Sequence, residues 1–275
     1  MSYNYNAQYK NEVSKHTKKD AVIALSYYVF YIATMIGLGF YRRHFQQTIL
    51  ISIIFGVLVI GVCLIIVYVK KDRLTSLGFR CKNVWKSLRL GFIFGFIPLA
   101  IVSLLLHFIS GLEFRSFDII ILSILNILMF AFGEDIIFIG YIQTRIYGLI
   151  KKDILAILFV AFLFAIMHFP IQVVQHGSEF GTAIGGLVGG SIWFFSCILC
   201  HFLFNAVFRR YVVLLPAVIL HTANNINSTG SLWIEQSPFW AVPVYFTIVT
   251  SAIIIWTVWL RRNEKKNIIN DNKTK

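Results

Sequence analysis

Two carboxylates, Glu134 and Asp135, stand side by side in the apolar run "MFAFGEDIIFIGY" at positions 129–141. On a helix they project about 100° apart, and in a dry site they cannot both ionise cheaply, so one is expected to hold a proton. Such a pair is suited to taking a proton up and giving it back. Other polar side chains interrupt apolar stretches further on: His168, His201 with Asn205, and His221 with Asn225. Residues four apart on a helix share a face, so the imidazole of His221 and the carboxamide of Asn225 could both donate to one developing oxyanion. His201 and Asn205 repeat the spacing, and spacing does not choose between the two pairs.

An ionisable group near the centre of a bilayer costs on the order of 2.5 to 3.5 kcal/mol on insertion scales, which makes function the default reading of Glu134 and Asp135. The competing structural reading is an ion pair between Glu134 and Arg145, about three helical turns further on and on nearly the same face. His168 taken alone reads as a hydrogen-bonded packing residue at a helix end.

The elements that must hold these groups are membrane helices. The 275-residue chain is 58% hydrophobic and 13% charged, with a mean hydropathy of +0.76, outside the soluble globular range. Stretches long enough to cross about 30 Å of hydrocarbon are read at 21–40, 49–69, 90–110, 117–147, 154–168, 183–204, 212–225 and 239–260. With the N-terminus inside, 22 of the 25 Lys and Arg residues fall in cytoplasmic segments and Arg42, Arg43 and Arg115 fall outside, as the positive-inside bias requires. The expectation is an all-α polytopic protein of the cell membrane. It has about eight transmembrane helices, both termini cytoplasmic, and a central polar cavity formed by spans four to seven. Basic segments beside the spans attract anionic lipid headgroups, so the net charge of +13 calls for no nucleic-acid partner.

The segment 72–89, "DRLTSLGFRCKNVWKSLR", mixes Leu, Phe and Trp with five basic residues and reads as a helix lying on the cytoplasmic interface. "FPIQVVQHGSEFGTA" at 169–183 and "NINSTGSLWIEQSPFWAVP" at 225–243 read as external loops. No cleavable signal is seen at the start, where the first span reads as a retained anchor. "CILCH" at 197–201 fits a haem-attachment pattern, but within an apolar span its two thiols read as small packing groups. "NST" at 227–229 fits a glycosylation acceptor and reads as a polar turn.

In order along the chain, "GEDIIFIGYIQTRIYG", "FAIMHF" and "LLPAVILHTANN" resemble the three signatures of the CPBP intramembrane proteases, the CAAX protease and bacteriocin-processing (Abi) family. Those signatures are EExxxR, FxxxH and HxxxN, the last with a proline five residues upstream. The matching residues are Glu134 and Asp135, then Phe164 with His168, then Pro216 with His221 and Asn225. The proline and the double Asn select His221 over His201. The resemblance covers residues 72–228, flanked by 1–71 with the basic start and two spans, and by 229–275 with an external loop, the last span and a basic tail.

The resemblance implies that Glu134 and His168 activate a water that attacks a peptide carbonyl, Asp135 supports them, and His221 and Asn225 steady the oxyanion. It implies a hydrophobic or lipidated peptide substrate near the membrane surface: a prenylated C-terminus, a peptide pheromone or a bacteriocin precursor. These roles require no cofactor, and if zinc is present, Glu134, His168 and His221 are its expected ligands. Ile139 departs from the pattern by standing where the first signature has arginine. That departure motivates a second reading, a catalytically impaired member that binds a membrane protein partner or confers bacteriocin immunity. A transporter is a third, because intramembrane carboxylates also serve proton relays.

Overall fold

Where no water reaches the backbone, a spanning chain must satisfy its own peptide groups, and a run of Leu, Ile, Val and Phe does so as helix. A computed structural model describes residues 7–44, 49–176, 186–234 and 241–273. They form helices α1 (Ala7–Val13), α2 (Lys18–His44), α3 (Ile49–Val69), α4 (Val84–Gly91) and α5 (Ile97–Ser110). These are followed by α6 (Phe117–Asp135), α7 (Gln143–Arg145), α8 (Asp153–His176), α9 (Gly186–Tyr211), α10 (Leu215–Thr229) and α11 (Ala241–Lys273). Two π-helical segments, Phe92–Phe96 and Ile136–Ile142, join α4 to α5 and α6 to α7. The described residues contain no strand, and one isolated bridge links Phe114 to Trp233.

Among the described residues four helices are long and apolar enough to cross a membrane: Lys18–Tyr41, Val84–Ser110, Phe117–Gly148 and Ala241–Leu260. Gly56–Val69 and Asp153–Phe169 are shorter apolar helices.

Several expected boundaries move. The segment 72–89 is not one interfacial helix. A single 3-10 turn, Leu74–Leu77, ends at Gly78 with φ 93°, and Asn83 has φ 65°. These two left-handed residues break the helix, and α4 then runs directly into the span that ends at Ser110. Residues 169–176 are helical, not loop, so His168 lies inside α8 and not at its end. Residues 177–185 and 235–240 lie outside the described residues. The helix bearing His221 continues past Asn225 to Thr229 and stops at Gly230, φ 63°. Asn227 is therefore a buried helical residue, unsuited to glycosylation.

The chain divides into two compact units. The first comprises Met1–Asn11, Arg80–Phe132 and Ala206–Lys275. Within it, Gly91 and Gly95 form a small-xxx-small stripe that lets backbones approach closely. A methyl group at Gly91 would lie 2.9 Å from Ile219 Cβ, and one at Gly95 3.1 Å from Leu220 Cα. The Tyr245 hydroxyl donates to Gly95 O at 3.5 Å. At the far end of α10, Ile234 N donates to Glu113 O at 3.1 Å and Arg115 N to Leu232 O at 2.9 Å. Phe114 and Trp233 stack there with centroids 4.3 Å apart. The helix that carries His221 and Asn225 is thus held along its length and at its exit.

The second unit comprises Glu12–Phe79 and Gly133–Asn205. α2 starts at a capping box in which Thr17 N donates to Asp20 Oδ2 at 2.8 Å and Asp20 N returns a bond to Thr17 Oγ1 at 3.4 Å. Lys70 Nζ reaches Asp20 Oδ1 at 2.8 Å. The 3-10 turn Leu74–Leu77 presses on the π segment, where a Cβ at Gly140 would lie 2.7 Å from Leu77 O. That oxygen is backbone and cannot swing aside. Gly140→Ala is therefore expected to cost about 1–3 kcal/mol, read as a lowered thermal-unfolding midpoint in detergent, and an unchanged midpoint would refute the close approach.

Arg145 fastens the same two segments. Its side chain is 1% exposed, and its Nη2 donates to Asp72 Oδ2 at 2.8 Å and Ser76 Oγ at 2.7 Å. Its Nη1 donates to Thr144 Oγ1 at 2.7 Å and Gly140 O at 3.2 Å, and the guanidinium lies 4.6 Å from the Tyr141 ring centroid. Buried His16 lies close enough to feel this charge. Burial first, and the Arg145 guanidinium second, push His16 down from 6.5 to about 4. Because its folded value lies below its unfolded one, the neutral imidazole contributes stability fully above about pH 6.5, and the contribution is lost as pH falls toward 4. The effect amounts to roughly 3 kcal/mol. Unfolding midpoints measured from pH 7 to pH 4 are expected to fall more steeply for the wild type than for His16→Phe, and parallel curves would contradict this.

Candidate active site

Three aromatic side chains of the second unit pack around Phe138. Tyr31 and Tyr28 of α2 meet its ring edge-on at 5.6 and 6.1 Å, and Phe164 of α8 does so at 5.2 Å. The Tyr28 hydroxyl donates to Leu163 O at 2.8 Å, tying α2 to α8 beside this contact.

The Phe138–Phe164 contact fixes the depth of two predicted site residues. Glu134 lies four residues before Phe138, and His168 lies four residues after Phe164. The short connection through residues 146–152 makes the two helices antiparallel, so both steps run the same way by about one turn, roughly 6 Å. Glu134 and His168 therefore stand level on neighbouring helices.

The local bonding of His168 sets its chemistry. Its Nδ1 lies 2.8 Å from Phe164 O. A carbonyl only accepts, so Nδ1 carries the proton and Nε2 keeps its lone pair. Phe164 packs against the His168 ring at 5.1 Å and fixes its plane. The imidazole is thus oriented with a basic nitrogen directed away from its own helix.

The two carboxylates occupy different surroundings. Glu134 is half-buried and Asp135 is 1% exposed. Glu134 lies within electrostatic reach of the Tyr31 hydroxyl and the Cys197 thiol. The accessible carboxylate is suited to proton transfer, and the enclosed one to support. Both sit at the junction of α6 with the π segment Ile136–Ile142, and π insertions concentrate at functional sites. Ile139 is fully buried. Arg145 is committed to Asp72, Ser76, Thr144 and Gly140. The ion-pair reading of Glu134 with Arg145 is thereby replaced by a pair with Asp72.

His201 and Asn205, the alternative HxxxN pair, form a separate buried cluster in this unit. His201 Nε2 lies 3.4 Å from Gln143 Oε1 and 3.5 Å from Asn205 Nδ2, and all three residues are fully buried. The His201 ring stacks on Phe164 with centroids 5.5 Å apart.

His221 and Asn225 fall in the first unit. His221 is buried, and Asn225, one turn along α10, is half-buried. Asn224 Nδ2 donates to Asn225 Oδ1 at 3.4 Å, which orients the Asn225 carboxamide with its NH2 group turned elsewhere as a donor. Among the described residues no group of three or more His, Cys, Asp or Glu side chains is placed to hold a metal ion.

Tyr31 and Gln143 were not singled out in the sequence, and Cys197 entered only as a packing thiol of the pattern at 197–201. The signal for Tyr31 was present as "SYYVFY" at 26–31, three phenols inside a span where each hydroxyl needs a partner.

A family model described as "Rce1-like: Type II CAAX prenyl endopeptidase Rce1-like" matches residues 116–227, a segment that includes Glu134, Asp135, His168, His221 and Asn225. Over this segment the chain is similar to the CPBP family, a family of membrane proteases. No curated protein and no solved structure matches the chain.

Proposed function

We propose that this protein is a CAAX-type intramembrane endopeptidase that hydrolyses peptides at the membrane surface. The observation that carries the reading is the level placement of Glu134 with His168, whose ring is oriented by its Nδ1 bond to Phe164 O. Glu134 and His168 take a proton from a water, whose oxygen attacks the scissile carbonyl carbon. The C–N bond then breaks, and the proton passes to the leaving amine. Asp135 supports Glu134 from its buried position. The role of His221 and Asn225 as oxyanion donors rests on the motif resemblance, as does the substrate class of prenylated C-terminus, peptide pheromone or bacteriocin precursor. The reading includes eight spans with both termini in the cytoplasm of a multi-pass cell-membrane protein, and a polar cavity among spans four to seven.

Water activation by this pair requires no metal. The alternative donor set, Glu134, His168 and His221, is tested by chelation. Purified protein in detergent is expected to cleave a farnesylated CAAX peptide to the same extent with and without chelator. Loss of cleavage restored by zinc would establish the metal set.

One observation favours a second reading. Ile139 is fully buried where the family signature has arginine, and Arg145 is engaged elsewhere. A member without turnover would act as a membrane binding partner or immunity protein. Folded protein that cleaves no lipidated or hydrophobic peptide, yet keeps its phenotype in Glu134→Ala, would decide for it.

A further inference from the structure

The chain carries two HxxxN pairs, and the proposed mechanism uses only one. The other, His201 with Asn205 on α9, lies in the second unit with Glu134 and His168 and outside the three signatures. Its imidazole touches both of the helices that carry those two residues. His201 Nε2 lies 3.4 Å from Oε1 of Gln143, the first residue of α7, on the helix that continues from Glu134 through the π segment. The His201 ring also stacks on Phe164 of α8, with centroids 5.5 Å and planes 33° apart, and Phe164 meets the His168 ring edge-on at 5.1 Å. Asn205 Nδ2 lies 3.5 Å from the same Nε2. An amide oxygen accepts and an amide NH2 donates, so Nε2 bonds Gln143 when it carries the proton and Asn205 when it does not. His201, Gln143 and Asn205 are fully buried, and Phe164 is 3% exposed. Moving one of these polar groups alone would break a contact where no water replaces it, so the set resists displacement as a unit.

We infer that His201 is a positioning residue of the proposed site: from a third helix it fixes Phe164, and through Phe164 the ring of His168, relative to the helix that carries Glu134. The inference deepens the peptidase reading and rests on it for the effect on turnover, though not for the contacts themselves. The edge contact of Phe138 with Phe164 at 5.2 Å sets the depth of the two helices, and the stacked imidazole adds the plane of the Phe164 ring. A general base displaced by about an ångström loses on the order of 100-fold in rate, so a residue that touches no substrate can still govern kcat.

The test compares His201→Phe with Tyr27→Phe in the full-length purified protein. His201→Phe keeps a ring against Phe164 and removes the bond to Gln143. Tyr27→Phe is the control, deleting a buried hydrogen bond of the same unit, from the Tyr27 hydroxyl to Val59 O at 2.8 Å, that involves neither Phe164 nor Gln143. With a fluorogenic farnesylated peptide, His201→Phe is expected to lower kcat roughly 10- to 100-fold and leave KM nearly unchanged, whereas Tyr27→Phe should lower the unfolding midpoint and spare kcat. NMR of isotope-labelled histidine, with the His168 signals assigned by His168→Gln, provides a readout that needs no turnover. His168 should rest in its Nδ1–H form in the wild type and in Tyr27→Phe, and lose part of that preference in His201→Phe as its ring swings off the Phe164 carbonyl. That result supports the inference even if the wild type cleaves nothing, an outcome that would remove the peptidase reading alone. An unchanged His168 tautomer in His201→Phe overturns the inference whatever the activity, as does an equal loss in Tyr27→Phe, which would mark general loosening. Should His201→Phe fail to fold, Gln143→Met, which removes the same bond from the other partner, decides by the same readout.

Discussion

Glu134→Gln is expected to reach the membrane in wild-type amounts and to cleave a prenylated peptide roughly 10²–10⁴ times more slowly, the range that a positioned general base contributes. The substitution keeps the side chain's shape and its capacity to accept hydrogen bonds, and removes its capacity to take a proton. Because Glu134 is half-buried, a neutral amide there creates no void, so the loss reports chemistry and not folding. His168→Ala should lose a similar factor, and the double variant little more than either, since two groups acting on one water work as a unit. Additive losses would show that Glu134 and His168 act in different steps. Undiminished turnover in Glu134→Gln would end the proposed mechanism.

The largest expected effect on stability is at Arg145. Arg145→Ala leaves Asp72 without its guanidinium partner, removes one of the two side-chain donors to the Gly140 carbonyl, and empties a site filled by a side chain that is 1% exposed. Removing one partner of such a buried pair costs about 3–5 kcal/mol. Arg145→Lys should recover less than half of this, because an ammonium cannot divide its bonds between Asp72 with Ser76 on one side and Thr144 with Gly140 on the other as a planar fork does. The thermal midpoint should fall in both variants, and limited proteolysis should open first near residues 72–79, the segment that Arg145 holds. If Arg145→Ala kept its midpoint but lost turnover, Arg145 would instead belong to the chemistry, in place of the arginine missing at position 139.

The helical character of the chain was legible because the apolar runs are long and the buried backbone leaves few alternatives. Glu134, Asp135 and His168 stood out because polar groups are costly in such runs. The end of α8 was misplaced because Pro170 and the following Gln and His residues resemble a loop in composition, although the backbone stays helical to His176. The segment 72–89 carries a correct amphipathic signal. It gave no sign that Gly78 and Asn83 would take left-handed conformations and split it. The partner of Arg145 was also out of reach, since Asp72 lies 73 positions away in sequence and pattern alone does not pair residues over such distances.

The π segment between Asp135 and Gln143 acts as a phase shifter within one continuous helix. Each widened turn holds roughly one residue more than an α-turn, so the angular position of Glu134 relative to Arg145 depends on the number of residues between them. Inserting one further residue in α-helical geometry at 136–142 would rotate one end against the other by about 100°. The rod could then present its carboxylates toward His168 or its guanidinium toward Asp72, but not both. In this stretch length is constrained more strictly than residue identity: Gly140 aside, substitutions there should be tolerated better than a single insertion.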